Sequence, residues 1–370
     1  LMSAIISEHP HIAELLVQKG AQVNCLNNAG LSAIKLAMQK PSMISWLINR
    51  FWNGNSNELI YKNLVDLLLS KGANPRLQFE SANSPLFLAA KQGHTAVVTE
   101  LLTHRADPNI QDKYGSTPLH WAAKQGRTAV VTELLTHRAD PDIQDKYGYT
   151  PLLEATGRGD LAAVTELLRC GADPNIATNN GCTPLLGAAE RGRLAAVTEL
   201  LRCGADPNIQ NMYGYTPLLG AAKQGHTAVA TELLRCGADP DVASNKGYTP
   251  LLWAERQGHT AVATELLSHK AGPNIATNDY GYTPLFEATR RGNLAAITEL
   301  LANQADPNIA TNDGCTPLLG AAERGNLAAV TELLAHQADP NLQNKDGHTP
   351  LFFAARNGNS TVTAKLLRYG

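Results

Sequence analysis

DKYGSTPLHWAAKQGRTAVVTELLTHRADPDIQ, residues 112–144, is the stretch whose reading decides the fold. Thr117 is a favourable helix N-cap, and Pro118 suits the first helical turn, where its missing N–H and fixed φ cost nothing. A short helix starts there and runs through Leu119, Ala122 and Ala123, whose small side chains let helices approach closely. Gly126 supplies the left-handed residue that ends it. A second helix follows through Val130, Val131, Leu134 and Leu135, apolar at helical spacing. Asp140-Pro141-Asp142 then forces an extended turn, because Pro cannot continue a helix and pushes its predecessor toward β geometry. The segment to Gly148 reads as a hairpin-like finger leading to the next Thr-Pro.

Outward from this stretch, Thr-Pro-Leu or a close variant recurs nine times, beginning at Ser84, Thr117, Thr150, Thr183, Thr216, Thr249, Thr283, Thr316 and Thr349. Every interval is 33 residues except one of 34. A fixed period of this length specifies stacked units, since one unit is too thin to bury both of its helices. Of the 20 prolines, all but Pro10 and Pro41 occupy the helix start or the Asp-Pro turn, so proline acts as punctuation. TPLHWAAKQGRTAVVTELLTHRADPD resembles an ankyrin repeat. The resemblance implies an all-α ankyrin-repeat solenoid of helix-turn-helix units with β-hairpin-like fingers, and a non-enzymatic protein–protein interaction scaffold. The histidine that follows Thr-Pro-Leu in that family stands only at His120, with Leu or Phe elsewhere. The glycine after the second helix is replaced by Arg105, Arg138, Lys270, Gln304 and Gln337, at a small cost to those helix ends.

The organisation expected is the tail of a truncated repeat at 1–26, an irregular repeat at 27–78 with a helical insertion near 40–58, and nine consecutive repeats over 79–370, the last truncated. Met43, Ile44, Leu47, Ile48 and Phe51 follow helical spacing within the insertion, which reads as a helix packed on its own repeat, with a partner-binding protrusion as the alternative. Both ends fall inside repeats, so the chain reads as an excerpt from something longer. That leaves open a larger enzyme or secreted bacterial effector whose catalytic domain lies elsewhere and whose target the repeats select. The 34-residue step falls in GPNIATNDYGYTPL, where Gly272 replaces the usual Asp and the finger gains a residue.

Formal net charge is −2, without the basic excess that nucleic acid would require, so the partner expected is a protein or peptide. No signal peptide and no run of 18 apolar residues is present, so no membrane role is expected. The six cysteines are Cys25, Cys170, Cys182, Cys203, Cys236 and Cys315. Stacked helices sit about 8–10 Å apart, wider than the roughly 7 Å that a disulfide spans between Cα atoms. Reduced thiols and a cytoplasmic location are expected, or the host cytosol for an effector, with the chain monomeric.

No HExxH, GxSxG or Walker motif appears, and no catalytic residue, cofactor or metal is expected. His104, His137, Cys170, Cys203, Cys236, His269 and His336 recur at the end of the second helix, but residues a whole repeat apart cannot share a zinc ion, whose ligands lie within about 2.3 Å. Glu154 and Glu287 stand four units apart, too far for an acid–base pair.

Two rows carry the binding expectation. Tyr149, Tyr215, Tyr248 and Tyr282 precede Thr-Pro, while Tyr114, Tyr147, Tyr213 and Tyr280 precede the finger glycine. The resemblance implies that these positions line a concave groove, with Trp121 and Trp253 pointing toward it, and large rigid rings make good anchors. The ordinary alternative is that the rings stack to stiffen neighbouring fingers. The second row, at the end of the first helix, is Lys91, Lys124, Arg158, Arg191, Lys223, Arg256, Arg290, Arg291, Arg324 and Arg356, interrupted by Glu190 and Glu323. The second helix carries a glutamate in each repeat from Glu100 to Glu332. A positive groove would steer an acidic partner segment, although cations in a helix's last turn also complement its dipole by about 0.3–1 kcal/mol each.

Overall fold

A computed structural model describes residues 84–369, with isolated positions at 3, 4, 12, 15, 19–22 and 25. The insertion near 40–58 lies outside the described residues, as do the irregular repeat at 27–78 and, apart from those isolated positions, the stretch 1–26. The chain divides into two compact units, residues 1–179 and 180–370.

In the first unit the helices are α1 (Pro85–Gln92), α2 (Thr95–Thr103), α3 (Pro118–Gln125), α4 (Thr128–Thr136), α5 (Pro151–Arg158) and α6 (Leu161–Arg169). The second unit holds α7 (Pro184–Glu190), α8 (Leu194–Arg202), α9 (Pro217–Gln224), α10 (Thr227–Arg235), α11 (Pro250–Gln257) and α12 (Thr260–Ser268). It continues with α13 (Pro284–Arg291), α14 (Leu294–Ala302), α15 (Pro317–Glu323), α16 (Leu327–Ala335), α17 (Pro350–Arg356) and α18 (Ser360–Leu366). Within each unit the odd-numbered helices pack in series as one layer and the even-numbered helices as another.

Each odd helix starts as its sequence requires, the Thr or Ser before proline accepting from the backbone N–H three residues on, as Thr216 Oγ1 does from Leu219 N at 3.2 Å. The cores are repeated Leu, Val and Ala: Leu119, Ala122, Val131 and Leu134 are fully buried, and so are their counterparts Leu218, Ala221, Ala230 and Leu233. Where glycine is missing after the even helices, Arg105, Arg138, Lys270, Gln304 and Gln337 adopt the left-handed conformation in its place, φ 62–67°.

The residue after the second proline joins neighbouring repeats. Asn109 Oδ1 accepts from Asp140 N at 2.8 Å, Asp142 Oδ1 from Asp173 N at 2.9 Å, and Asn208 Oδ1 from Asp239 N at 2.9 Å. Gly272 keeps its part in this ladder, its N–H donating to Asp241 Oδ1 at 2.7 Å. Among the described residues the fingers contain no strand: each is a tight turn, such as Asp145 N to Tyr149 O at 2.9 Å, with a single backbone bond to the next, such as Lys146 N to Tyr114 O at 2.9 Å. The 34-residue step widens one such turn, which closes from Thr277 N to Tyr282 O.

Candidate functional site

The cation row divides in two once its side chains are placed. Lys91, Lys124, Lys223, Arg256 and Arg290 stand seven residues after their cap, whereas Arg158, Arg191, Arg291 and Arg324 stand eight after. The second group serves helix ends. Arg158 Nη1 donates to Lys124 O at 3.4 Å, Arg291 Nη1 to Arg256 O at 3.0 Å, and Arg324 Nη1 to Arg290 O, in each case the last turn of the preceding odd helix. Arg191 Nη1 reaches Gly187 O in its own helix at 2.9 Å. These carbonyls have no intrahelical donor, so the arginines satisfy them and complement the helix dipole. Arg356 is exposed at the end of α17.

In the first group Lys91, Lys124, Lys223 and Arg256 face aromatic rings, while Arg290 pairs with Glu287. In the first unit a cleft of about 530 Å³ is lined by Tyr114, Trp121, Lys124, Tyr147, Tyr149 and Glu154, among others. Its donors find partners inside the protein: Trp121 Nε1 donates to Asp112 Oδ2 at 3.3 Å and Lys124 Nζ to Glu154 Oε1 at 2.9 Å. Lys91 Nζ lies 4.3 Å from the Trp121 ring centroid, within cation–π range.

In the second unit a larger cleft, about 900 Å³, is lined by Tyr213, Tyr215, Tyr248, Tyr280 and Trp253 with Lys223, Lys246 and Arg256, and by Glu190 and Asp279. Lys223 Nζ is 5.0 Å from the Tyr215 ring and 5.1 Å from Trp253, and the Arg256 guanidinium is 5.1 Å from Tyr248 and 5.5 Å from Trp253. Glu190 lies over Gly220, where a Cβ would come within 2.7 Å of its Cγ. Arg256 Nη1 donates to Tyr248 Oη and stands 4.0 Å from Glu287 Oε1, whose other oxygen takes Arg290 Nε at 2.7 Å.

The tyrosines are not equivalent. Tyr147, Tyr213 and Tyr280 are 60, 58 and 52 % exposed, and Tyr114 and Tyr149 are also exposed. Tyr248, expected among the rings offered to a partner, is 7 % exposed, because it packs on Trp253 at 4.9 Å and bonds Arg256. Burial pushes its phenol up, against the pull of Arg256. Tyr282 is half-buried between Tyr280 and Phe286, stacked at 5.3 and 5.0 Å.

On the even helices, the His and Cys row has a local explanation. His104, His137, His269 and His336 each hold Nδ1 3.0–3.1 Å from the carbonyl of the glutamate four residues before. Among the described residues, no group of three His, Cys, Asp or Glu is placed to hold a metal. Glu166, Glu199 and Glu232 pair with Arg169, Arg202 and Arg235, hydrogen bonds that hold each carboxyl below its ordinary range, so these glutamates form paired rather than free negative charge. Among the described residues no helix is long and apolar enough to cross a membrane.

One chemically charged position escaped the reading of rows. Glu255 occupies a column filled by Ala90, Ala123, Ala189, Ala222 and Ala322, all fully buried, and is itself 2 % exposed. Burial, reinforced by the nearby Glu299 and opposed by Arg291, lifts its carboxyl to about 8. The signal was present as the one acidic residue in an alanine and threonine column. His120 did stand out: Thr117 N donates to its Nδ1 at 3.0 Å, so its Nε2 carries the proton given to Tyr149 O at 2.9 Å, and burial holds the ring below its ordinary pKa.

Comparison with curated protein sequences gave no match. Among solved structures, the crystal structure of the ankyrin repeat domain of Bcl-3, described as a unique member of the IkappaB protein family, superposes with a TM-score of 0.53. It is 28 % identical, over 60 % of this chain and 99 % of that one. The family model for ankyrin repeats in three copies matches residues 56–145, 129–211, 152–243, 218–311 and 285–370. With its capped helix pairs, turn-like fingers and unbroken matches from residue 56 onward, the chain belongs to the ankyrin-repeat family, an all-α fold whose repeats mediate protein–protein interaction.

Proposed function

We propose that the chain is a non-catalytic, cytoplasmic scaffold that captures a partner protein through the clefts between its fingers and odd helices, and that the bound segment is acidic. The observation that carries this reading is the recurrence, in each unit, of a cleft where exposed finger tyrosines surround a tryptophan faced by lysine or arginine. Rigid amphipathic rings supply contact area at low entropic cost, and the cations raise the encounter rate of an acidic segment. The nine-repeat organisation over 79–370 belongs to the same proposal, each repeat adding one finger to the binding surface.

The test is capture of a partner from extract by the intact chain beside a Tyr147→Ala, Tyr213→Ala, Tyr280→Ala variant, with Glu166→Ala on the opposite layer as control. These three rings are exposed, so the helical content should persist while capture falls at least tenfold. Capture by the folded triple variant at the level of the control would remove the proposal.

A further inference from the structure

The two clefts are built on the same scaffold but finished differently. Trp121 and Trp253 occupy equivalent positions, four residues after Thr117 and Thr249. Trp121 Nε1 is satisfied by Asp112 at the base of its finger. The equivalent finger residue before Trp253 is Ser244, and Trp253 Nε1 has no hydrogen-bond partner among the described residues. Lys124 and Lys223 are likewise equivalent. Lys124 is paired with Glu154 on the next odd helix, where the residue facing Lys223 is Trp253 itself, and no described carboxylate lies within ion-pair distance of Lys223. In the register that aligns the two tryptophans, Arg256 stands where Lys124 does and Glu287 where Glu154 does, so the second cleft has lost the carboxylate of Asp112 and holds, in Lys223, a cation with no carboxylate partner among the described residues.

What remains around Lys223 and Arg256 selects the sign of a ligand. The faces of Tyr215, Tyr248 and Trp253 are already held by resident cations, so an incoming ammonium would meet like charge where it would need a free ring face. An incoming carboxylate meets Lys223, which has only ring contacts, beside Arg256, which already donates to Tyr248 Oη and stands 4.0 Å from Glu287 Oε1. Glu190 and Asp279 also line the cleft, and neither forms an ion pair with Lys223 or Arg256.

We propose, resting on the groove function above, that the cleft of the second unit is a specificity pocket for one glutamate or aspartate side chain of a bound peptide, its carboxylate held by Lys223 and bordered by Arg256. Trp253 and Tyr215 form the walls that exclude water, which strengthens the charge-assisted bond. The first unit's cleft, self-paired, supplies contact area without this selectivity.

A positional-scanning array of nonapeptides, with glutamate, glutamine, lysine or phosphoserine fixed at each position in turn, probed with the full chain, tests the assignment. Glutamate should be preferred over glutamine and lysine at one position. The best arrayed peptide should bind Lys223→Gln about tenfold more weakly than the parent, with circular dichroism confirming the fold. Arg169→Gln, on the opposite helix layer and paired with Glu166, should leave that preference unchanged. Ser244→Asp should weaken it, since it returns a resident carboxylate beside Trp253. Equal capture of glutamate and glutamine peptides would overturn the pocket while leaving the groove reading intact, as would full retention of the preference in folded Lys223→Gln. A stronger preference for phosphoserine would overturn the choice of carboxylate. Capture of no peptide at all would sink the groove reading and this inference together.

Discussion

Glu255 makes the second unit's stability fall as pH rises. Its carboxyl is buried at a repeat position that alanine or threonine fills elsewhere and keeps its proton up to about pH 8, against 4.5 for an ordinary glutamate. Between those values the unfolded chain has released the proton and the folded chain has not, so the unfolded state binds fewer protons and stability declines with pH. At about 1.4 kcal/mol per pH unit, the penalty is on the order of 4 kcal/mol at pH 8 and under about 1 kcal/mol at pH 5. Glu255→Gln keeps the shape and removes the titration, while Glu255→Ala restores the residue of six other repeats. Long repeat arrays do not unfold in one step, so the suitable assay is native-state hydrogen exchange of the α11 and α12 amides in the intact chain, with each variant compared with the parent at the same pH. Both variants should gain about 3 kcal/mol of protection relative to the parent between pH 5 and pH 8. A variant-minus-parent difference that stays flat across that interval would refute the reasoning, because it would mean that Glu255 is ionised in the folded chain.

His120 should give the opposite slope. Its folded pKa lies below the ordinary 6.5, so its contribution is present above that value and is lost as pH falls through it; exchange protection of α3 should drop on acidification in the parent and not in His120→Leu, which carries the residue of the next repeat, Leu153. Arg138 holds a left-handed φ of 62° at a position where other repeats have glycine, so Arg138→Gly should stabilise α4 by about 0.5–1 kcal/mol in the same exchange measurement, and a loss of protection would contradict it. Gly148→Ala and Gly171→Ala both place a methyl at positive φ, but only the first drives it into backbone, 2.6 Å from Asn179 N. Native-state hydrogen exchange should therefore show a cost of about 1 kcal/mol at Gly171 and at least twice that at Gly148.

Much of this molecule was legible because each local signal agrees with its neighbours. Thr-Pro fixes where a helix begins, the spacing of Val and Leu fixes the buried face, and Asp-Pro fixes the turn; the helices of 84–369 start where those residues stand. The site was legible as a composition and not as a geometry. Arg290 and Arg291 are adjacent in sequence, yet one pairs with Glu287 and the other caps α11, because a step of one residue along a helix turns a side chain by about 100°. Tyr215 and Tyr248 share a repeat position, but only Tyr248 is followed by the packing surface and donor, Trp253 and Arg256, that bury it. Glu255 was hidden for the reverse reason: a lone glutamate near the end of an amphipathic helix ordinarily faces water, and its burial follows only from which column of the repeat it occupies.

The ladder of Asn and Asp after the second proline bears on heredity. Each joint is made from one residue's side chain and another's amide 31 residues later, so any duplicated 33-residue segment carries both a socket and a plug. Copying error can then alter repeat number without leaving an unmatched end, and the near-identical GCTPLLGAAERGRLAAVTELL and GCTPLLGAAERGNLAAVTELL are the kind of record such copying leaves. The joint from Asn274 to Asp306 spans 32 residues with its 2.8 Å bond intact. The extra residue is held in the intervening finger, so a slip of one codon changes a finger turn and spares the chain of joints that carries it.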